Sequence, residues 1–308
     1  MIRGRKLFFA LPTFATRKLS TGTFLFRAAL IGLFFLLSSC SMLRLGYNQG
    51  PHLLWWWLDS YVDFTHEQTP HVKKAIRDWF DWHRSTQLPE YAAWLTVLSS
   101  EIGDSVTPEQ VCGWSGKLRS TIAPALEHSL QLGAPLVPSL SEQQLLHIAQ
   151  RYAKGNEEFR SDYLQPAAEE RMQASIQRTV KRVENLYGKI NETQRRLIID
   201  NLTASPFDPE AWLAERQHRQ NETLSILRQL IAKSVATDHI VNSLRTVIEH
   251  IERSSDTDYR AYQIKLTEYN CAFIARVHNS TSDKQRRHAY KKLKGWEADL
   301  LILANDTP

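Results

Sequence analysis

The chain has 308 residues, of which 43% are hydrophobic and 23% charged, and this composition is typical of a globular protein with a buried core. The net charge of +5 comes from one end: residues 1–39 hold six basic residues and no acidic one, which leaves 32 basic against 33 acidic residues and a net charge near −1 for the rest. That balance argues against nucleic-acid binding, which depends on clustered positive charge that neutralises phosphates.

The first segment is predicted to be an export signal. Its basic residues end at Arg27, and the uncharged run Ala28–Leu37 follows. Ten apolar residues match the hydrophobic region of a signal peptide and fall well short of the roughly 20 residues of a membrane span. The expected signal peptide covers residues 1–39.

The run ends in Leu37-Ser38-Ser39-Cys40, which resembles the bacterial lipobox. The resemblance implies that the lipoprotein signal peptidase cuts before Cys40, that Cys40 is acylated with lipid such as palmitate, and that residues 40–50 form a lipidated tether. Ser41, in place of Asp, implies the periplasmic face of the outer membrane. Several acyl chains anchor a protein to a membrane far better than one. The alternative is that Cys40 is a buried cysteine of the fold.

Three consecutive tryptophans, Trp55, Trp56 and Trp57, follow shortly after Cys40. Neighbours on a helix point about 100° apart, so the three cannot all face one core. At least one is expected to be exposed or to meet a membrane interface, where Trp is favoured. The alternative is a thick core with Trp55 and Trp57 on either side of one buried partner. With Trp79 and Trp82 they form the predicted interaction surface.

Nearly all of the chain after residue 50 is predicted to be helical, because apolar residues recur at spacings of three and four. The clearest runs are Val72-Ile76-Trp79-Trp82, Met172-Ile176-Val180-Val183-Tyr187, Ile240-Leu244-Val247-Ile251 and Ala289-Leu293-Trp296-Leu300-Leu303. Pro89, Pro108, Pro166 and Pro209 stand near helix starts. Residues 133–141 and 203–210 are candidate linkers, but both are short. Residues 51–308 are therefore predicted to be one all-α periplasmic domain, an extended multi-helix array or bundle.

A short pattern recurs five times: a Thr, Ser or Asn is followed three residues later by Gln, at 65/68, 107/110, 141/144, 191/194 and 282/285. Because each precedes a helical stretch, the pattern predicts capping boxes, in which the first side chain and the Gln satisfy each other's backbone N–H groups. The stretches also resemble the LTxxQ-type motifs of helical periplasmic proteins of the CpxP and Spy type. That resemblance implies a role in envelope stress or chaperoning.

A wider resemblance covers most of the chain. Its segments are "SMLRLGYNQGPHLLWWWLDSYVDFTHEQ" (41–68), "WHRSTQLPEYAAWL" (82–95), "TQRRLIIDNL" (193–202) and "AWLAERQHRQ" (211–220). They are similar to a family of uncharacterised proteobacterial lipoproteins. The resemblance implies an all-helical periplasmic body on a lipid anchor, and it implies no activity.

Two cysteines remain after Cys40. Cys112 and Cys271 could form a disulfide in an oxidising compartment and close a long loop, or they could be two buried thiols.

Two motifs look catalytic only at first sight. His66 and His71 are five residues apart with Pro70 between them, whereas a helical zinc pair needs spacing i, i+4. In Gly113-Trp114-Ser115-Gly116 the second Gly comes one position too early for a nucleophile elbow. We therefore predict no metal site, no cofactor and no catalytic residue.

Three functions remain open on these grounds. The first is a non-enzymatic, outer-membrane-anchored lipoprotein that binds another envelope component. The second is an enzyme whose site residues are dispersed along the sequence. The third is a periplasmic stress chaperone.

Overall fold

The computed structural model describes residues 42–233 and 235–306, and every regular element in these ranges is helical. The prediction of an all-α multi-helix array is confirmed. The helices are α1 (Met42–Asn48), α2 (Gly50–Val62), α3 (Gln68–Trp82), α4 (Leu88–Glu101), α5 (Pro108–Gly133), α6 (Glu142–Tyr163), α7 (Ala168–Tyr187), α8 (Glu192–Thr203), α9 (Pro209–Ala232), α10 (Thr237–Glu252), α11 (Thr257–Asn279) and α12 (Asp283–Asn305).

Helices α3 and α4 are joined without a break by a π-helical turn at His83–Gln87. Pro89 explains the wider turn, because it has no N–H and its ring would clash with the carbonyl of the residue four positions earlier. In the turn the Leu88 N–H bonds the carbonyl of His83, five residues back. The π turn therefore lets the helix continue through Pro89, which the sequence pattern places near a helix start.

The segment 133–141, predicted as a linker, belongs to the core instead. Ala134–Ser139 forms a 3₁₀ helix in which Ala134 and Val137 are buried against α6, α9 and α10. Pro138 is tolerated because a 3₁₀ helix this short needs few backbone donors. The apolar side chains therefore place this segment in the core, although it contains two prolines.

Among the buried apolar residues that the structure describes, three clusters stand out. The largest joins α6, α9, α10 and the 3₁₀ helix. A second joins α4, α7 and α12 around Leu95, Tyr187 and Leu293. The third holds α5 against α11, and there the sulfurs of Cys112 and Cys271 are joined at 2.02 Å, with Cα atoms 5.4 Å apart. Within the described ranges, none of the helices is long and apolar enough to cross a membrane.

Candidate functional site

The predicted lipid anchor, Cys40, and residues 1–39 lie outside the described ranges, which begin at residue 42. The first helices after it, α1 and α2, contain no buried residue. On α2 Trp56 and Trp57 follow Leu53 by three and four residues, which places the three side chains on one side of the helix, and they are 58% (Leu53), 72% (Trp56) and 50% (Trp57) exposed. We call these three residues the tryptophan face. It is a continuous apolar stripe without cover from the described part of the chain.

Trp55, the first tryptophan of the run, packs against the rest of the protein. The Trp55 ring stacks on Phe64 with centroids 5.8 Å apart, and the Lys73 ammonium lies 4.5 Å from the Trp55 ring centre. The Trp57 ring lies 4.9 Å from that of Tyr61, which is one turn further along the same helix. The three tryptophan side chains therefore point in different directions, as the 100° between helical neighbours requires. Trp56 is the most exposed of them.

The other two tryptophans of the predicted surface are engaged in internal contacts. Trp79 donates from Nε1 to the carbonyl of Ala125 at 3.1 Å and stacks on His83 at 4.4 Å. Trp82 stacks on His128 at 4.0 Å. Both side chains join α3 to its neighbours, and the structure does not place them on the tryptophan face.

An aromatic cluster around His83 has no signal in the sequence. His83 occupies the π turn, and its ring nitrogens lie 2.9 Å from Tyr47 Oη and 3.3 Å from Tyr91 Oη. Burial lowers the pKa of His83 to about 4, so the imidazole is neutral at pH 7. Because both nitrogens already have partners, the arrangement suits a fixed junction that docks α1 on the body.

Four of the five capping boxes meet in pairs. In the first pair, Thr65 N–H donates to Gln68 Oε1 and Ser141 N–H donates to Gln144 Oε1, both at 3.0 Å. Each Gln then donates from Nε2 to the Oε1 of the other, at 3.3 and 2.8 Å. Each also donates to the carbonyl five residues before its partner, Ser139 at 2.7 Å and Asp63 at 3.1 Å. We call this arrangement the first crossing.

The second crossing repeats the same bonds with Gln194 and Gln285. The two amides donate to each other at 2.9 and 3.0 Å. They also donate to the carbonyls five residues before the partner, Ser280 at 2.9 Å and Lys189 at 3.0 Å. The fifth box, at Thr107 and Gln110, forms on an exposed surface without a second Gln. All five predicted boxes are confirmed, whereas their pairing was not predicted.

An open depression lies at each crossing. The first, of about 640 Å³, is lined by Glu67, Lys74 and Asp78 among others, and Lys74 pairs with Asp78 at 2.5 Å. The second, of about 800 Å³, is lined by four basic residues and no carboxylate; they are Lys189, Lys284, Arg287 and Lys291. The net charge of the whole chain conceals this local concentration. The signal that could have revealed it is the stretch "KQRRHAYKKLK" from residue 284.

The remaining candidate motifs from the sequence have structural explanations. Gly113–Gly116 lies inside α5, where Ser115 Oγ donates to the carbonyl of Val111 at 3.2 Å. Across residues 42–306, residue 234 excepted, no three or more His, Cys, Asp or Glu side chains are grouped to hold a metal ion.

The fold and its crossings define an all-α helical protein in which paired capping boxes tie distant helices together. Residues 60–260 match a family of unknown function (DUF6279), which is more than half of the chain, so the chain belongs to that family. The matched residues include the whole first crossing but only the Gln194 side of the second. No curated protein and no solved structure matches the chain.

Proposed function

We propose that this protein is a lipid-anchored lipoprotein of the cell envelope, attached by Cys40 at the periplasmic face of the outer membrane. It acts there as a binding protein for another envelope component, not as an enzyme. The observation that carries the attachment to the membrane is the tryptophan face, an exposed apolar stripe on a helix that begins ten residues after Cys40.

Chain geometry supports contact between this face and the membrane. Because an extended chain spans at most about 3.6 Å per residue, an acylated Cys40 would hold the start of α1 within about 7 Å of the lipid surface. Tryptophan is favoured at membrane interfaces, where its ring is half in the apolar layer and its N–H remains wet. Leu45 of α1, which lies between Cys40 and the tryptophan face in the sequence, is a further exposed apolar side chain. We therefore assign the tryptophan face to the membrane interface.

Support for a binding role also comes from the buried imidazoles. His83 and His278 are the buried histidines of the described ranges, burial lowers the pKa of each, and such groups are often catalytic. In both, each ring nitrogen has a partner from the protein itself. This favours structural roles for them.

The anchor is tested by growth with a palmitate analogue. We expect the wild-type chain to carry the label and the Cys40→Ala variant to lose it. An unlabelled wild-type chain would refute the lipoprotein assignment.

The membrane contact is tested with unacylated chain and phosphatidylcholine vesicles. The Trp56→Ser/Trp57→Ser variant should partition at least about tenfold more weakly than the wild type, because each exposed indole contributes apolar area. The control variant, Phe207→Ser/Ile264→Ser, removes two exposed apolar side chains elsewhere and should partition as the wild type does. Equal loss in both variants would show that the tryptophan face has no special role.

A stress chaperone is the second candidate, because all five LTxxQ-like boxes form. In the two crossings, however, Gln68, Gln144 and Gln194 are buried, so these residues serve the fold and do not face a client. Crosslinking in intact cells separates the two functions. One stoichiometric protein partner supports the binding protein, and many unfolded clients support the chaperone.

A further inference from the structure

The basic residues of α12 divide into two sets. Three of the six between residues 284 and 294 have partners within the protein: Arg286 donates to the carbonyl of Gly103 at 3.0 Å, Lys292 to the carbonyl of Asn185, and Lys294 pairs with Glu297. The other three, Lys284, Arg287 and Lys291, have no hydrogen bond or ion pair with any residue that the structure describes. Their spacing of three and four residues puts them on one face of the helix.

A fourth cation is brought to this face by the crossing itself. Gly188 ends α7 with φ 78°, a left-handed conformation that favours glycine, and the chain turns there. The Gln285 amide then holds the carbonyl of Lys189 at 3.0 Å, beside the first turn of α12. Lys189 thus lines the same depression as Lys284, Arg287 and Lys291, together with the ring of His288.

No carboxylate lines the depression. Of the acidic residues that flank it in the sequence, Glu192, at the start of α8, lies 3.7 Å from Arg196, and Glu184 accepts from the backbone N–H of Ile190 at 3.4 Å. Four like charges around one concave surface repel each other and produce a strong local positive potential. A bound anion would relieve that repulsion.

The first crossing shows that the fold does not need these cations. It has the same Gln bonds, yet the depression beside it has two carboxylates, one lysine and an internal Lys74–Asp78 pair. The positive charge at the second crossing is therefore a property of the site and not of the hydrogen-bonded scaffold.

We propose that the depression at the second crossing binds a phosphate group. A phosphate or pyrophosphate presents several anionic oxygens, which three ammonium groups and one guanidinium can contact together. A single carboxylate would leave most of the cations without a partner. The phosphate belongs either to a lipid headgroup or to a soluble molecule, and the binding chemistry is the same for both.

The test uses the unacylated full mature chain in its oxidised form, so its outcome does not depend on acylation of Cys40. One arm titrates inorganic pyrophosphate by calorimetry. The other measures co-sedimentation with phosphatidylcholine vesicles that either contain or lack phosphatidate. The site variant is Lys284→Gln/Arg287→Gln/Lys291→Gln. The matched control, Lys117→Gln/Arg119→Gln/Lys265→Gln, removes three exposed cations that lie elsewhere and whose side chains make no hydrogen bond or ion pair with the part of the chain that the structure describes.

We expect the site variant to bind at least about tenfold more weakly and the control to stay within about twofold of the wild type, since each cation contributes modestly and the three act together. Circular dichroism checks that both variants fold. Binding to pyrophosphate alone identifies a soluble ligand, and binding only to phosphatidate vesicles identifies a lipid headgroup. No binding in either arm, or equal weakening in the site and control variants, would overturn the proposal.

Discussion

The two crossings have the same hydrogen bonds and different surroundings. In each, two Gln side chains accept from the backbone N–H of their own capping residue and donate to each other. Each also donates to the carbonyl five residues before its partner. Around the first crossing the charges are mixed and internally paired, and around the second they are basic and unpaired within the described structure. The paired Gln residues therefore stabilise the fold, and any specific chemistry resides in the residues around them.

The crossings also differ in what supports them. The second receives the carbonyl of Ser280 from the end of α11, and α11 is tied to α5 by Cys112 and Cys271. It also lies beside a buried histidine, since His278 bonds Tyr187, which lines the depression. The first crossing has neither a nearby disulfide nor a buried imidazole among the residues that line its depression.

The largest effect is expected from the disulfide. The two cysteines are 159 residues apart, and the chain-entropy estimate for a loop of that length is about 5 kcal/mol. We expect the Cys112→Ser/Cys271→Ser variant to lose up to about that much free energy of unfolding in urea. Mass spectrometry of the wild type from cells tests whether the bond forms there.

The same variant sharpens the comparison of the crossings. Backbone amide exchange should rise more at Gln285, in the second crossing, than at Gln144, in the first, because only the second depends on α11. Equal increases at both sites would show that the two crossings open together with the whole fold.

A smaller effect is expected from breaking one crossing. Gln194→Leu leaves the carbonyl of Ser280 and the amide of Gln285 without their partner in a partly buried place, which should cost about 1–3 kcal/mol. Gln68→Leu should cost about the same amount. Gln110→Leu is the matched control, because that box is exposed and unpaired, and it should cost at most about 1 kcal/mol. Urea unfolding measures all three, and a loss at Gln110 equal to the others would make the crossings energetically irrelevant.

The parts of this fold that the sequence could predict are local. A capping box joins residues three apart, so Thr107 and Gln110 reveal it directly, and helical periodicity is visible within a few turns. Gln68 and Gln144 are 76 residues apart, and no local pattern indicates that their amides meet. The same limit hid the π turn at His83, which depends on how the chain accommodates Pro89.

The same distinction between local and long-range features applies to the candidate sites. The exposure of Trp56 follows from the angle between neighbours on a helix. The internal contacts of Trp79 and Trp82 depend on Ala125 and His128, which belong to another helix. The basic face of α12 was concealed for a different reason, because a sum over the chain averages charges that the fold brings together.

The smallest effect is a pH dependence specific to the second crossing. His278 lies 2.7 Å through Nε2 from the carbonyl of Asp104 and 2.8 Å through Nδ1 from Tyr187 Oη. Because a carbonyl only accepts, Nε2 carries the proton, and Nδ1 accepts from the Tyr187 hydroxyl. Burial lowers the pKa of His278, so the unfolded chain binds a proton more readily than the folded one. Stability is therefore complete above the ordinary histidine pKa of about 6.5 and declines as the pH falls below it.

Burial lowers the pKa of His83 as well, so the overall slope of stability against pH contains both residues. The two are separated by position. In the wild type, acidification should increase amide exchange more at Gln194 and Gln285, beside His278, than at Gln68 and Gln144. His278→Gln should remove that difference, because its amide can still donate to Asp104 but does not titrate. His83→Gln should leave the difference in place. If His83→Gln removed it instead, the pH response would belong to the π turn, and the two crossings would be alike in this respect too.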